Sequence, residues 1–381
     1  MEDIPMPFGG RGGLGFALCT LFLLSSCTRG NAVAHQNTAS LVEMAGLYGQ
    51  GSHPTLVEPA KAVVGGQASP ASDDRETEGQ YGNQIAAYLI EKNYDALDQA
   101  AREARTKKAR FKGGVWKLYI FYDALGKPTL GTEATDEDWT YHIGRVKDWE
   151  AARPESVSAR IALAQTYLIY ASQARGGGYA NTVSDTGWKL YHERVELAAS
   201  SLTQAAKLKE KCPYWYEAMQ NVALAQGWDK SQARKLLDGA TAFEPIFYHY
   251  YREYANYLLP KWYGQPGESE AFAEEISNKI DGKEGKFVYF EIASLVTCQC
   301  DSDASNIENF SWPKIKEGYA ALGELYGYSN LKLNRFAHMA FEANDKQAAQ
   351  QAFAMIGNDW DHVVWRSSRK FEDARNWAAG Q

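Results

Sequence analysis

Residues 214–245, YWYEAMQNVALAQGWDKSQARKLLDGATAFEP, read as two helices joined by a tight turn. Tyr214–Gln226 forms the first helix, and Gly227-Trp228-Asp229 makes the turn. In the second run Ala233, Leu237 and Ala240 are spaced four and three apart, which places them on one stripe of a helix. Pro245, five residues on, ends it, because proline cannot donate a backbone hydrogen bond and clashes with the preceding turn.

The same layout returns elsewhere. Ala337 and Ala340 fall on one helix, Asn344-Asp345 on a turn, and Ala349, Phe353 and Ile356 on the next helix. Small residues stand where two helices cross closely, and a large one fills the groove between them. Two further units are partial. Tyr88, Tyr94, Leu97, Ala101 and Ala104 make one. Leu163, Ala164 and Tyr167 open the other, whose second helix is expected to resume at Ala198, Leu202 and Ala205 after an insertion carrying Gly176-Gly177-Gly178-Tyr179. Period-2 alternation bounded by hairpin turns is scarce, so the fold class expected from residue 81 to 381 is all-α, built of stacked helix pairs.

These offsets resemble the tetratricopeptide repeat, a helix-turn-helix unit of about 34 residues. The resemblance covers about half of residues 80–360 and is degenerate, since the Gly and Trp of the standard first helix are mostly missing. It implies an α-α superhelix. Arg110-Phe111-Lys112-Gly113-Gly114-Val115-Trp116-Lys117-Leu118, Pro213-Tyr214-Trp215-Tyr216, Gln226-Gly227-Trp228-Asp229 and Tyr257-Leu258-Leu259-Pro260-Lys261-Trp262-Tyr263-Gly264 resemble strings of an uncharacterised bacterial family, a domain of unknown function. That likeness implies no catalytic residues.

Outward from the helical region the composition changes. Residues 14–24 form an apolar run preceded by Arg11. The run is shorter than the ~20 residues a membrane-spanning helix needs and fits the core of a signal peptide over residues 1–26. Leu24-Ser25-Ser26-Cys27 follows and resembles the bacterial lipobox, which implies lipidation of Cys27 and a membrane anchor. Glu2 and Asp3 depart from the positive start such a leader carries, and Met6 is an alternative first residue. Thr28 after the cysteine, in place of Asp, implies the periplasmic face of the outer membrane. Residues 27–80 are rich in Gly, Ser, Ala, Pro, Thr and Gln and read as a flexible tether.

Charge and composition narrow the functional classes. The net charge is −7 with both signs interspersed, which argues against a nucleic-acid partner. Aromatic residues make up 13% of the chain, more than a surface would carry, so most belong to a core. The clusters Tyr214-Trp215-Tyr216, Phe247-Tyr248-His249-Tyr250-Tyr251 and Lys261-Trp262-Tyr263 could stack on sugar rings. Consecutive aromatics on a helix point several ways, however, and a helix buried all round is preferred.

No catalytic or metal motif is legible, and no cofactor is expected. His192-Glu193 is not followed by a second His at zinc-ligand spacing. Gly176-Gly177-Gly178 lacks the Gly-Lys-Ser/Thr of a phosphate loop; its flanks Arg175 and Tyr179 are candidate contacts. No pair of carboxylates can be nominated as acid and base. Cys212 could pair with Cys298 or Cys300, Cys298-Gln299-Cys300 could form a dithiol, or all three could be small buried residues.

Stacked helix pairs leave a concave surface made by their first helices. The leading expectation is therefore a membrane-anchored protein that binds a peptide or protein partner in the cell envelope through Gln165, Trp215, Asn334 and His338. The alternative is an envelope enzyme or glycan-binding protein that uses the aromatic clusters and the Gly-rich insertion.

Overall fold

A computed structural model describes residues 77–129, 134–299 and 307–380. The signal peptide, Cys27 and nearly all of the tether lie outside the described residues, as does Cys300. Among the described residues there are sixteen α-helices and no strand, with one isolated bridge between Arg110 and Trp116. The fold is all-α, and its helices pack as adjacent pairs.

The odd-numbered helices are α1 (Glu78–Ile90), α3 (Lys117–Leu125), α5 (Val157–Arg175), α7 (Tyr214–Gln226), α9 (His249–Tyr257), α11 (Gly282–Gln299) and α13 (Asn330–Glu342). Each packs against the next odd helix, forming one layer. The second layer is α2 (Tyr94–Lys107), α4 (Asp136–Ala152), α6 (Asp185–Ala206), α8 (Lys230–Phe243), α10 (Glu268–Lys279), α12 (Trp312–Tyr326) and α14 (Lys346–Ile356), each packed on odd-numbered neighbours. Short α15 (His362–Trp365) and α16 (Ser368–Ala379) cap the C-terminal end, with α16 against α14.

Local chemistry sets these boundaries. α7 stops at Gly227, whose φ of 69° lies in the left-handed region, and the Trp228 N–H closes back on the Ala223 carbonyl. Asp229 then caps α8: its carboxylate accepts from the Gln232 N–H while the Gln232 side chain accepts from the Asp229 N–H. The expected stripe of Ala233, Leu237 and Ala240 is buried, as are Ala337, Ala340, Ala349, Phe353 and Ile356 in the α13–α14 pair. Thr77 and Gln80 form a capping box that starts α1 at Glu78, slightly before the expected domain start.

One expectation needs correcting. The segment after Gly176-Gly177-Gly178 is not a long insertion before Ala198, because α6 begins at Asp185 with Ser184 as its cap. Gly187 permits this early start: a Cβ there would lie 2.8 Å from the Ala174 carbonyl, so the first turn of α6 sits close against the end of α5. Trp188, Tyr191 and Val195 fill the extra turns.

The aromatic clusters of α7 and α9 are core. Tyr214, Trp215, Tyr216, Phe247, Tyr248, Tyr250 and Tyr251 are all buried. α7 can bury every side because α5, α6, α8 and α9 all pack on it. The third cluster is different, with Trp262 half-buried and Tyr263 exposed.

Candidate functional site

The ends of the odd-numbered layer are tied together by the loop between α2 and α3. Residues 109–117 fold into a tight turn in which the Phe111 N–H donates to the Val115 carbonyl and the Lys117 N–H to that of Ala109. From this loop Arg110 donates to the Ile246 carbonyl at 3.0 Å, and its guanidinium lies over the rings of Trp116 and Tyr326. Glu284 stands 3.7 Å from it. Gly113 N–H donates to the Gly327 carbonyl. Gly114, at φ +80°, lets the loop reach the Phe287 ring, which a Cβ would approach to 2.7 Å. The loop joins the α3 end of the array to α11, α12 and α13, so the inner face is bounded at both ends.

Along that bounded face the odd helices present a polar seam. On α7 it is Tyr214, Glu217 and Asn221, spaced three and four apart on one stripe. On α9 it is His249, Arg252, Glu253 and Asn256, and on α3 Tyr119 and Asp123. Glu291 of α11, Lys332 and Arg335 of α13, and Glu78 at the start of α1 complete it. His249 is sandwiched between the rings of Tyr119 at 4.1 Å and Tyr248 at 4.2 Å. Tyr214 stacks on Tyr122 at 4.3 Å and leans toward Tyr119 at 6.1 Å.

Two electrostatic halves can be distinguished. In one, Lys332 and Glu291 form an ion pair buried at both ends, with the Lys332 Nζ 2.6 Å from Glu291 Oε2, and Arg252 reaches the same carboxylate at 3.3 Å. Burial pulls Lys332 down to about 8 against the opposing pull of Glu291. In the other half, Glu217 feels the charges of Glu253 and Asp123. Burial holds Glu217 well above the usual carboxylate range, with Glu253 and Asp123 adding to the rise and Arg252 opposing it. Burial pushes Glu253 up to about 7, again against Arg252. Glu78 is likewise pushed up to about 7, mainly by burial. Burial drives His249 well below its usual range, and the cations Arg252, Lys332 and Arg110 add to this, so the ring is neutral.

The seam holds buried polar atoms that no described group satisfies. Glu217 Oε2, Asn221 Oδ1, His249 Nε2 and Asn256 Oδ1 have no hydrogen-bond partner among the described residues. Buried polar groups are nearly always bonded, so a run of such atoms on two neighbouring helices is unusual. Asp123, Arg252 and Glu253 are half-buried and lie beside these buried atoms, so solvent reaches the seam. Among the described residues no three His, Cys, Asp or Glu side chains are placed to share a metal ion.

The residues singled out from sequence fare unevenly. Trp215 is fully buried and donates to the Leu202 carbonyl. Asn334 is also fully buried: it donates to Asn330 and Asp359, and accepts from the Asp361 N–H and the Trp365 indole. Neither can line a binding groove, because both spend their polar atoms holding neighbouring segments. Gln165 and His338 are half-buried and lie apart, Gln165 beside Gly126 and His338 beside Trp365. The four do not form one surface. Cys212 is a fully buried thiol 3.4 Å from the Tyr122 hydroxyl. The side chain of Cys298 lies outside the described residues. In the glycine loop Arg175 bonds the carbonyls of Gly176 and Gly178 and packs over Trp188, leaving Tyr179 exposed.

Tyr214 and His249 of the seam stand in aromatic clusters of the sequence, whereas its charged and amide residues belong to no motif, although a signal exists. Glu217 is the one charged residue of α7 and follows three aromatics directly, and Glu291 sits inside FVYFEIASLV. A charge embedded in an apolar run is either paired in the interior or part of a site. Compared with known proteins, the chain matches no family model, no curated protein and no solved structure.

Proposed function

We propose that this chain is a lipid-anchored helical-repeat protein of the cell envelope whose inner face binds a short polar segment of a partner. The observation that carries the reading is the set of buried acceptors on α7 and α9: Glu217 Oε2, Asn221 Oδ1 and Asn256 Oδ1. A peptide segment supplies N–H donors for such acceptors along an extended path. The loop at residues 109–117 bounds the face, so the segment is short, a chain end or a few residues, and not a long strand. The anchor rests on Leu24-Ser25-Ser26-Cys27, and the likeness to the uncharacterised bacterial family adds no activity.

A random heptapeptide pool selected on the full chain should yield binders. Those binders should lose affinity for the Glu217→Gln/Asn221→Ala variant and keep it for Leu197→Ala, a substitution at an exposed position of α6. Binders indifferent to the inner-face changes, or an empty selection, would refute the reading.

One observation favours a second reading, a glycan-binding or glycan-processing protein. Glu217 and Glu253 sit on helices rich in tyrosine, and burial raises both carboxyls, as it must for the general acid of sugar chemistry. Retention of neutral oligosaccharides by the wild-type chain, lost in Glu217→Gln, would favour it over the peptide reading.

A further inference from the structure

We infer that the groove between α1 and α2 is the docking site of a segment of this same chain, residues 41–48, which lies outside the described residues. The docked segment caps the first helix pair, whatever the inner face binds.

Inside a stack of helix pairs each pair is covered by its neighbours. The terminal pairs are not, and repeat arrays close such ends with a capping element. The C-terminal end has one. α16 lies on the α13–α14 pair, with Phe371 edge-on to Phe353 at 5.4 Å and Trp377 edge-on to Phe341 at 5.0 Å. α1 and α2 have no described helix before them.

Between α1 and α2 runs a groove of about 360 Å³. Tyr81 and Tyr88, two turns apart on α1, line one side, and Ala96, Ala100 and Ala104 of α2 line the other. Alanines one turn apart let a helix approach closely, and the tyrosines offer large apolar sides. Both tyrosines, Ala96 and Ala100 are only half-buried. Glu103 and Lys107, ion-paired at 2.7 Å, give the groove a polar rim. None of the lining residues belongs to the polar seam.

The sequence supplies an occupant. Ser40-Leu41-Val42-Glu43 has the spacing of a capping box, the signature of a helix start. Leu41, Met44, Ala45 and Tyr48 follow at the i, i+3, i+4 and i+7 positions of one apolar stripe, and Gly49 stands where a helix of that phase would end. Tyr48 is the sole aromatic residue between Phe22 and Tyr81, so the rest of that stretch offers no comparable match for the tyrosine-lined groove. A helix of eight residues does not persist alone in water and needs a surface on which to form.

The connection is long enough. Tyr81 stands in the first turn of α1, so the chain enters the fold beside the groove. As a flexible chain, residues 49–77 span about 30 Å on average, more than the ~20 Å length of α1. Such a link holds the segment at high effective concentration, so weak docking suffices. Burial of Leu41, Met44 and Tyr48 is offset in large part by the ordering of the segment. The docked state is therefore shallow, and the amides of residues 41–48 should exchange on the order of 10-fold more slowly than those of residues 50–76.

Hydrogen exchange and photocrosslinking on the full chain make the test. The expected result is about 10-fold protection of residues 41–48, after correction for intrinsic rates, lost in both Met44→Asp and Ala100→Arg. With p-benzoylphenylalanine at position 48, crosslinks should form within one chain to residues 81–107. Met44→Asp leaves α1 and α2 unaltered, so the test holds even where Ala100→Arg folds poorly. Unprotected residues 41–48 in wild type, protection that persists in Met44→Asp, or crosslinks only to other parts of the fold would overturn the inference. Crosslinks between chains, with protection that falls on dilution, would overturn it too, by making a second copy the occupant.

Discussion

Replacing Glu253 with Gln should stabilise the protein, and only at the upper end of the pH range. The substitution keeps the shape of the side chain and removes its charge. In the folded state the carboxyl is held at about 7, against 4.5 for a free glutamate, chiefly by burial. A raised carboxyl means that the folded chain holds its proton more tightly than the unfolded chain does. Below pH 4.5 both states are protonated and the group contributes no penalty. As pH rises from 4.5 to 7 the unfolded chain loses the proton first, so folded stability falls, and above 7 the full penalty is present. A displacement of about 2.5 pH units corresponds to about 3 kcal/mol at 1.36 kcal/mol per unit. Glutamine lacks this penalty. The variant should match wild type near pH 4.5 and exceed it by about 3 kcal/mol at pH 8, which is on the order of 5–10 °C in melting temperature for a chain of this size. Thermal unfolding followed by circular dichroism at pH 5, 6, 7 and 8 gives the comparison. A gain equal at pH 5 and pH 8, or a loss at pH 8, would refute the desolvated placement of Glu253.

Three further outcomes test the architecture and the anchor. Phe353 packs edge-on against Phe371 at 5.4 Å and beside Trp365 at 5.6 Å, so Phe353→Ala should cost about 3–5 kcal/mol in unfolding experiments. Ala337→Leu, at the close crossing of α13, should cost about 1–3 kcal/mol by overpacking. Wild-type protein should take up labelled palmitate and pellet with membranes, whereas Cys27→Ser should do neither; membrane association that survives the substitution would remove the anchor.

The parts of the fold legible in the sequence are those where one face of a helix is packed and the other is not. Ala233, Leu237 and Ala240 give a period because α8 buries one stripe, and Phe353 with Ala349 does so for α14. α7 defeats the same reasoning. It is buried on all sides, so apolar and polar positions carry no record of direction, and the step from Trp215 to a surface position failed for that reason. Asn334 failed differently: its amide is consumed by segments 25 to 31 residues away, a pairing no local spacing reveals. Loop closure through Arg110, Gly113 and Gly114 pairs residues separated by more than half of the folded region. The RFKGGVWKL string is conspicuous in the sequence, but what it touches is decided only by how the whole layer curves.

The polar seam carries a thermodynamic argument of its own. A buried ion pair such as Lys332–Glu291 can often be exchanged for apolar residues of similar size with no loss of stability, and sometimes with a gain. Glu217, buried with an oxygen lacking a partner among the described residues, is more costly still, since a desolvated polar atom forfeits about 1–3 kcal/mol. If stability alone shaped this face, apolar side chains would serve it better, as Trp215, Met219 and Val222 do elsewhere on α7. Buried atoms without a partner among the described residues also occur elsewhere, as at Trp139, Trp149 and Tyr319, but those of Glu217, Asn221, His249 and Asn256 stand together. They fall on consecutive odd-numbered helices, on the one face that the loop at residues 109–117 bounds. Departures from good packing that cluster in this way are the pattern expected where a structure is held ready for a ligand. The apolar remainder of α7, buried against four helices, is what supports such a seam: it fixes Glu217 and Asn221 in place and leaves their unsatisfied atoms available to whatever binds.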